Sequence, residues 1–511
     1  MILSDVKINT LTQVFFGEKK EQQAIDQNNN INKVKISKIK STSRFDKRDQ
    51  SWISTVDLEL TNPDAINLAS YETEFSLPEG CWIRNYSLNI GNRKEAGILA
   101  EKKSALWVFS QIRNENRDPG ILYYLTGNKV AFKIFPFASK EVRKSGIEFI
   151  HKSPATLNFD GISVSLGKAG SGIISKIESI NHTTYIPANE KARLQLLRRK
   201  PVYHFIIDVS KGKEKNVRGY MSRIRNFIAT HQLKQENIRL NLVNSFSLET
   251  PMDSDWRDQL NKHKFEGGFY LDGAIKKILV NNYKSNKAEF PVMIVLTDNL
   301  THAVIHNDFS DFKITYPEGP DFYELDGDHR LWIHALNTNP KLRLAETLKL
   351  PDAVPVYAWP SAAKPEGYLP NDNQPSIVIK AQASTNGVYV EKKSWLSALN
   401  LQGMWIKSTL NDNIPENFHL QLVKQSMMSG ILCPSTSFIV VENKAQKMAL
   451  LKKQQQILAG NRNLDPDEET QRMAEPNLYL LIILLFAAFC YKIKKTVDVP
   501  KNEEWDKARL H

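Results

Sequence analysis

One run constrains this chain more than any other. In Pro201–Gly212 (PVYHFIIDVSKG) the apolar residues from Val202 to Ile207 close on Asp208, followed by Ser210 and Gly212. A short apolar run ending on a carboxylate and a small hydroxyl residue reads as a buried parallel strand whose C-terminal end opens onto a crevice. The pattern returns at Val292–Leu296, which closes on Thr297 and Asp298. Between them lie a third strand-like run, Ile238–Phe246, and Gly267-Gly268 ahead of a helical stretch, Tyr270–Leu279. Val217–His231 has helical spacing, with Tyr220, Ile224, Phe227 and Ile228 on one side. Leu331–Leu336 and Val354–Ala358 read as later strands, with Leu342–Leu350 as the intervening helix. Strands alternating with helices predict a doubly wound parallel sheet over residues 200–352.

The upstream texture is different. Residues 1–50 read as a polar lead-in, because Glu21–Lys47 is rich in Gln, Asn, Lys and Ser. Met1–Lys20 has no basic start, and Asp5, Lys7 and Asn9 interrupt its apolar residues, so it is not a secretory signal. From Ser51, short alternating segments recur with turn residues between them: Trp52–Leu60, Tyr71–Leu77, Trp82–Ile90, Lys129–Phe137, Gly146–Ile150 and Ile162–Leu166. A single helical stretch, Leu99–Ile112, interrupts them, and Pro187–Lys200 leads out toward the parallel unit. Residues 51–186 therefore read as an antiparallel β-rich domain.

This domain resembles the VIT (vault and inter-α-trypsin) domain. The resemblance rests on Phe75, Leu77, Pro78, Tyr86, Leu88, Ile90 and Gly91, then Gly97, Glu101, Lys102, Ala105 and Phe109. It continues through Arg117–Leu122 with its Asp118-Pro119-Gly120, then Asn128, Phe132, Ile134, Pro136 and Ile147–Phe149. It implies an interaction module without catalysis. The unit that follows resembles a von Willebrand factor A (vWA) domain, the usual downstream neighbour of a VIT domain. In that family a divalent cation is held by a D-x-S-x-S loop, a Thr from a second loop and an Asp from a third. Mg²⁺ takes such hard oxygen ligands in octahedral geometry and retains waters. The resemblance places Asp208, Ser210 and Asp298 at metal positions. Gly212 stands where the second Ser is expected, Phe269 where the Thr is, and Asn299 where a Gly usually follows the last Asp. The implied cofactor is none or weakly bound Mg²⁺. The competing reading of Asp208 and Asp298 is two strand-end carboxylates bonded to loop amides.

Beyond the Pro-, Gly- and Asn-rich Pro355–Pro375, residues 375–460 read as a small β/helix part, with strands at Ser376–Lys380 and Gly387–Val390 and helices at Phe418–Met427 and Asn443–Ala459. Gly430–Glu442 resembles the segment that ends the folded part of inter-α-trypsin heavy-chain-like proteins. Residues 461–476 form an acidic linker ending in Met473, Ala474, Glu475 and Pro476. Residues 477–493 read as a transmembrane helix. The apolar Leu478–Tyr491 would span about 21 Å, short of a ~30 Å hydrocarbon core. It carries no charge on any face, and Lys492, Lys494 and Lys495 follow it directly, which predicts a cytoplasmic C-terminus and folded domains outside. Residues 494–511 form a basic, then mixed-charge tail. The motif, apolar helix and basic cluster together resemble the MSEP-CTERM class of sorting signals read by bacterial exosortases, with Ala474 in place of the Ser.

The totals narrow the function classes. At 511 residues the chain holds more than one domain. The net charge of +12 is spread along the sequence without interleaved aromatics, which argues against nucleic acid as a partner. Cys81, Cys433 and Cys490 are too far apart for a disulfide framework or a zinc site. The expectation is a bacterial, single-pass envelope protein of the cell membrane, acting by adhesion or assembly. Its partners would be an exosortase-like transpeptidase and an envelope protein or polymer. A metal-assisted hydrolase using Asp208 and Asp298 is one alternative, although no His or nucleophile motif accompanies them. A cytosol-facing, tail-anchored scaffold is the other.

Overall fold

The computed structural model describes residues 5–16, 34–64, 68–114, 120–168, 175–253, 255–285, 288–350, 354–380, 391–411 and 418–458. Within the expected lead-in it places a helix, α1 (Asp5–Phe16), and a long strand, β1 (Lys35–Asp46). β1 pairs antiparallel with β2 (Ser51–Thr61) from Lys35↔Thr61 to Asp46↔Ser51. Its composition hid it. An edge strand half in water keeps only Ile36 and Ile39 against the core, and its lysines blunt the open edge.

The next elements are β3 (Ala69–Ser76), β4 (Cys81–Ile90), β5 (Arg93–Ala96), β6 (Ile98–Glu101), α2 (Lys102–Asn114), β7 (Gly120–Tyr124), β8 (Lys129–Phe137), β9 (Val142–His151), β10 (Ala155–Phe159) and β11 (Ile162–Leu166). Among the described residues, β1-β2-β9-β4-β5 form one antiparallel sheet. A second antiparallel sheet runs β3-β8-β7 and faces it. Alternation on each strand sends Val56, Leu58, Phe75, Ile83, Tyr86, Phe132, Ile147 and Phe149 into one shared core. The helix expected over Leu99–Ile112 begins later. Leu99 lies on β6, and Glu101 caps α2 by accepting from the Ser104 amide (2.7 Å) and the Lys103 amide (3.0 Å).

Three short elements, β12 (Ile177–Glu178), β13 (Thr183–Ile186) and α3 (Ala188–Lys191), lead to β14 (Leu196–Leu197). Then come β15 (Lys200–Asp208), α4 (Val217–His231), β16 (Ile238–Val243), β17 (Ser247–Pro251), α5 (Trp256–Lys262), α6 (Leu271–Ser285), β18 (Glu289–Leu296), β19 (Asp321–Leu325), β20 (Leu331–Ala335) and β21 (Ala345–Thr347). Their strands form one sheet in the order β17-β16-β15-β18-β19-β20-β21. β16, β15, β18 and β19 are parallel. β17, β20 and β21 are antiparallel, so the sheet is mixed rather than wholly parallel. α4 and α5 cover one face through Tyr220, Ile224, Phe227, Trp256 and Leu260. α6 covers the other through Leu271, Ile275, Ile278 and Leu279. The expected helix Leu342–Leu350 is absent from that stretch, which instead holds the short edge strand β21. Just before that strand, Arg343 grips the buried Glu324 of β19 with two bonds (2.8 and 2.9 Å).

Val354–Ala358 was expected in this sheet. The strand there, β22 (Val356–Trp359), pairs instead with β14 and β23 (Gly367–Leu369) in a small separate sheet, so the Pro-rich boundary is itself ordered. β24 (Ser376–Ile379) joins β13. After β24 the described C-terminal residues are mainly helical: α7 (Trp395–Leu410), α8 (Phe418–Ser429) and α9 (Lys444–Leu458), with the strand β25 (Thr436–Val440) between α8 and α9. It does not stand alone. β25 slots between β7 and β6, completing the order β3-β8-β7-β25-β6. α7 and α8 pack on Trp82 and Ile150 behind the first sheet, and α9 reaches α2 through Leu450. The expected strand Gly387–Val390 lies outside the described residues, as do Met473–Pro476, the apolar Leu478–Tyr491 and Lys492–Lys495. Among the described residues no helix is long and apolar enough to cross a membrane.

Candidate functional site

The parallel register brings the ends of β15 and β18 side by side, with Ile207 opposite Leu296. Asp208, Ser210 and Asp298 consequently meet at the C-terminal end of the sheet. Asp208 is 2% exposed and its carboxylate is fully engaged. Oδ1 accepts from the Ser210 hydroxyl (2.6 Å) and amide (3.1 Å), and Oδ2 accepts from the Thr297 hydroxyl (2.8 Å). Burial pushes the Asp208 carboxyl above its ordinary range, and those hydrogen bonds and the nearby Lys213 charge only partly offset it.

Asp298 faces outward and meets a cation supplied by the chain itself. The Lys213 ammonium forms an ion pair with Oδ1, and the Asn216 amide donates to Oδ2 at 3.4 Å. The Lys213 side chain is 14% exposed. For Asp298, burial alone would raise the carboxyl. The Lys213 hydrogen bond and charge, with Asn216, outweigh it and hold the group below its ordinary value.

The two departures from the resembled metal pattern have local causes. Gly212 has φ +84°, a left-handed turn that a serine would enter only under strain. That turn carries the chain from Ser210 to Lys213. Phe269 is buried with Ile206, Val243, Leu271 and Ile275, so its ring fills core and offers no oxygen. Asn299, standing for the expected glycine, caps the following turn by accepting from the Thr301 amide (2.9 Å) and hydroxyl (2.6 Å). Next to the site, the buried Arg223 of α4 donates to the Leu325 carbonyl (2.6 Å), tying that helix to the end of β19. Among the described residues no group of three or more His, Cys, Asp or Glu side chains converges as a metal shell.

Lys213 and Thr297 were not singled out from the sequence. Their signal was position alone: a lysine just past the Gly212 turn and a hydroxyl beside Asp298. The rim of the site holds a third surprise. α1 lies across the loops that follow β16 and precede α6. The Val14 carbonyl accepts from the Gly268 amide (2.8 Å) and the Ser245 hydroxyl (2.5 Å). The loop below is tied to the Asp208 turn through the Lys211 amide and the Gly267 carbonyl (3.0 Å).

A serine–histidine pair elsewhere bears on the hydrolase alternative. Ser54 Oγ lies 2.8 Å from His151 Nε2, with His151 Nδ1 2.7 Å from the Ser153 carbonyl oxygen. Ser54 is fully buried and His151 is 1% exposed, so the pair pins β2 to β9 rather than meeting a substrate. Burial drops the imidazole to about 4. Compared with known proteins, the chain matches no family model and no curated protein.

Proposed function

We propose that this chain is a non-catalytic binding scaffold whose vWA-like unit works without a divalent cation. One observation carries the reading: the Lys213 ammonium sits on Asp298, the carboxylate that a metal would need. The donor set does not fit a dication. Both oxygens of Asp208 are taken up by Ser210 and Thr297, Gly212 and Phe269 contribute no oxygen, and an ammonium already supplies the positive charge. Neither carboxylate is placed as a free acid or base, because Asp208 is bonded to the buried Ser210 and Thr297 hydroxyls and Asp298 to Lys213. The paired antiparallel sheets suit the VIT-like reading, and the flanked parallel strands suit the vWA-like one.

The partner is an envelope protein or polymer, and the chain is held at the cell membrane by Leu478–Tyr491 with the Lys492–Lys495 cluster inside. Met473–Pro476 is the sorting motif for an exosortase-like transpeptidase. Cosedimentation of the full-length chain with isolated bacterial envelopes, in Mg²⁺ and in EDTA, tests the reading. Retention equal in the two is expected. Retention that EDTA abolishes contradicts the cation-free site, and no retention in either contradicts the adhesive role.

A further inference from the structure

The rim beside the site is built around the end of α1. At the C-terminal end of any helix the last carbonyls lack intrahelical partners. Here the Val14 carbonyl receives two donors from the body, the Gly268 amide and the Ser245 hydroxyl. Gln13 donates to the His302 carbonyl (3.2 Å), and the Thr10 hydroxyl lies 2.9 Å from His306 Nε2. The seat depends on two missing side chains. A Cβ on Gly268 would overlap the Gln13 carbonyl oxygen, and one on Gly267 would come within 2.8 Å of the Val14 oxygen. Val14 is buried in the seat.

Phe15 is 50% exposed and touches Phe246, itself 71% exposed, edge-on at 6.5 Å between ring centroids. Leu11 and Leu248 are also exposed. Over residues 10–15 the helix is held by specific polar bonds at its end and by the buried Val14. Each net hydrogen bond of this kind contributes about 1 kcal/mol, and its direction makes the seat selective. Residues 17–33 join α1 to the body, a span of up to about 60 Å when extended.

We propose that Ser245, Gly267 and Gly268 form a receptor for a helix C-terminus, that α1 occupies it reversibly in cis, and that the α1 of a second copy of this chain fills the same seat in trans. The fitting partner presents one free carbonyl to two donors, with an aliphatic side chain at the Val14 position, and α1 itself is that helix. Exchange would link copies through the rim of the site, independently of the charge at Lys213.

The test uses the full-length chain with a protease site placed among residues 20–30, folded first and then cut. A fluorescein-labelled peptide of residues 1–20 is the probe, read by anisotropy. After cutting and size exclusion, the probe should bind saturably. The uncut chain should bind it at least about tenfold more weakly, because its own α1 competes. Gly268→Ala should abolish uptake. A Val14→Asp probe should fail on the unaltered cut chain, so the seat is tested even if Gly268→Ala does not fold. Equal binding of the Val14→Asp probe overturns the proposal. So does no uptake by the cut chain, or equal uptake by cut and uncut chains.

Discussion

Glu324 is almost fully buried, and the chain surrounds it with donors. The His334 ring lies between Glu324 (3.2 Å from Nε2) and the Pro340 carbonyl oxygen (2.9 Å from Nδ1), while Arg343 grips both carboxylate oxygens. Burial alone would raise the Glu324 carboxyl, but the His334 and Arg343 bonds outweigh it and bring it down to about 2. A carboxyl lowered on folding stabilises the native state above its ordinary value of 4.5, and that stability is lost as pH falls toward 2. The urea midpoint should therefore drop between pH 5 and pH 3. Glu324→Gln should cost about 3 kcal/mol at pH 7 and flatten that part of the pH profile. An unchanged profile in the variant would place the acid sensitivity elsewhere. At this scale the sequence showed Asp208, Ser210 and Asp298 as neighbours, because strand ends announce themselves. It did not show which cation they meet. Ligand spacing is local, whereas the Lys213–Asp298 pair joins residues far apart in sequence.

Among elements, β25 carries the most consequence for its length. It is buried throughout and lies between β7 and β6, so β6 is attached to its sheet through it. Phe438 belongs to the sandwich core. Phe438→Ala should cost about 3–5 kcal/mol and lower the thermal midpoint of the sandwich, readable by near-ultraviolet circular dichroism. A shift within the scatter of surface substitutions would mean that the two sheets hold without it. The longer alternating strands of residues 51–166 were legible because each carries its own period, while the short β5, β6 and β10 were not. β1 and β21 were not. Both are edge strands whose sequence is set by water on one side, and only their partners, β2 and β20, decide their state. The return of β25 is a long-range pairing that no window of sequence contains.

For the molecule, the decisive contact joins the β-sandwich to the mixed sheet. The β7–β8 turn presents the Gly127 amide to the half-buried Asp311 (2.8 Å), and Lys129 bonds Asp308 (2.6 Å) and the Asn337 carbonyl (3.0 Å). Gly127 has φ +58°, and a Cβ there would come within 2.6 Å of Ser310 Cβ. Calorimetry should give one unfolding transition for the native chain and two for Gly127→Ala, with the mixed sheet and the sandwich melting apart. A single unshifted transition in the variant would show that the turn does not couple them. Reading the chain as consecutive domains missed that residues after 375 are shared among the earlier ones, because burial of Trp82 and Ile150 requires α7 and α8 to return to them.

The most direct test of the cation-free site is isothermal titration of Mg²⁺ into the native chain and into Lys213→Ala. The native chain should give no binding heat. The variant, with Asp298 released, should give a weak one. Saturable Mg²⁺ uptake by the native chain, unchanged in Lys213→Ala, would contradict the account and return Asp208, Ser210 and Asp298 to the role of metal ligands.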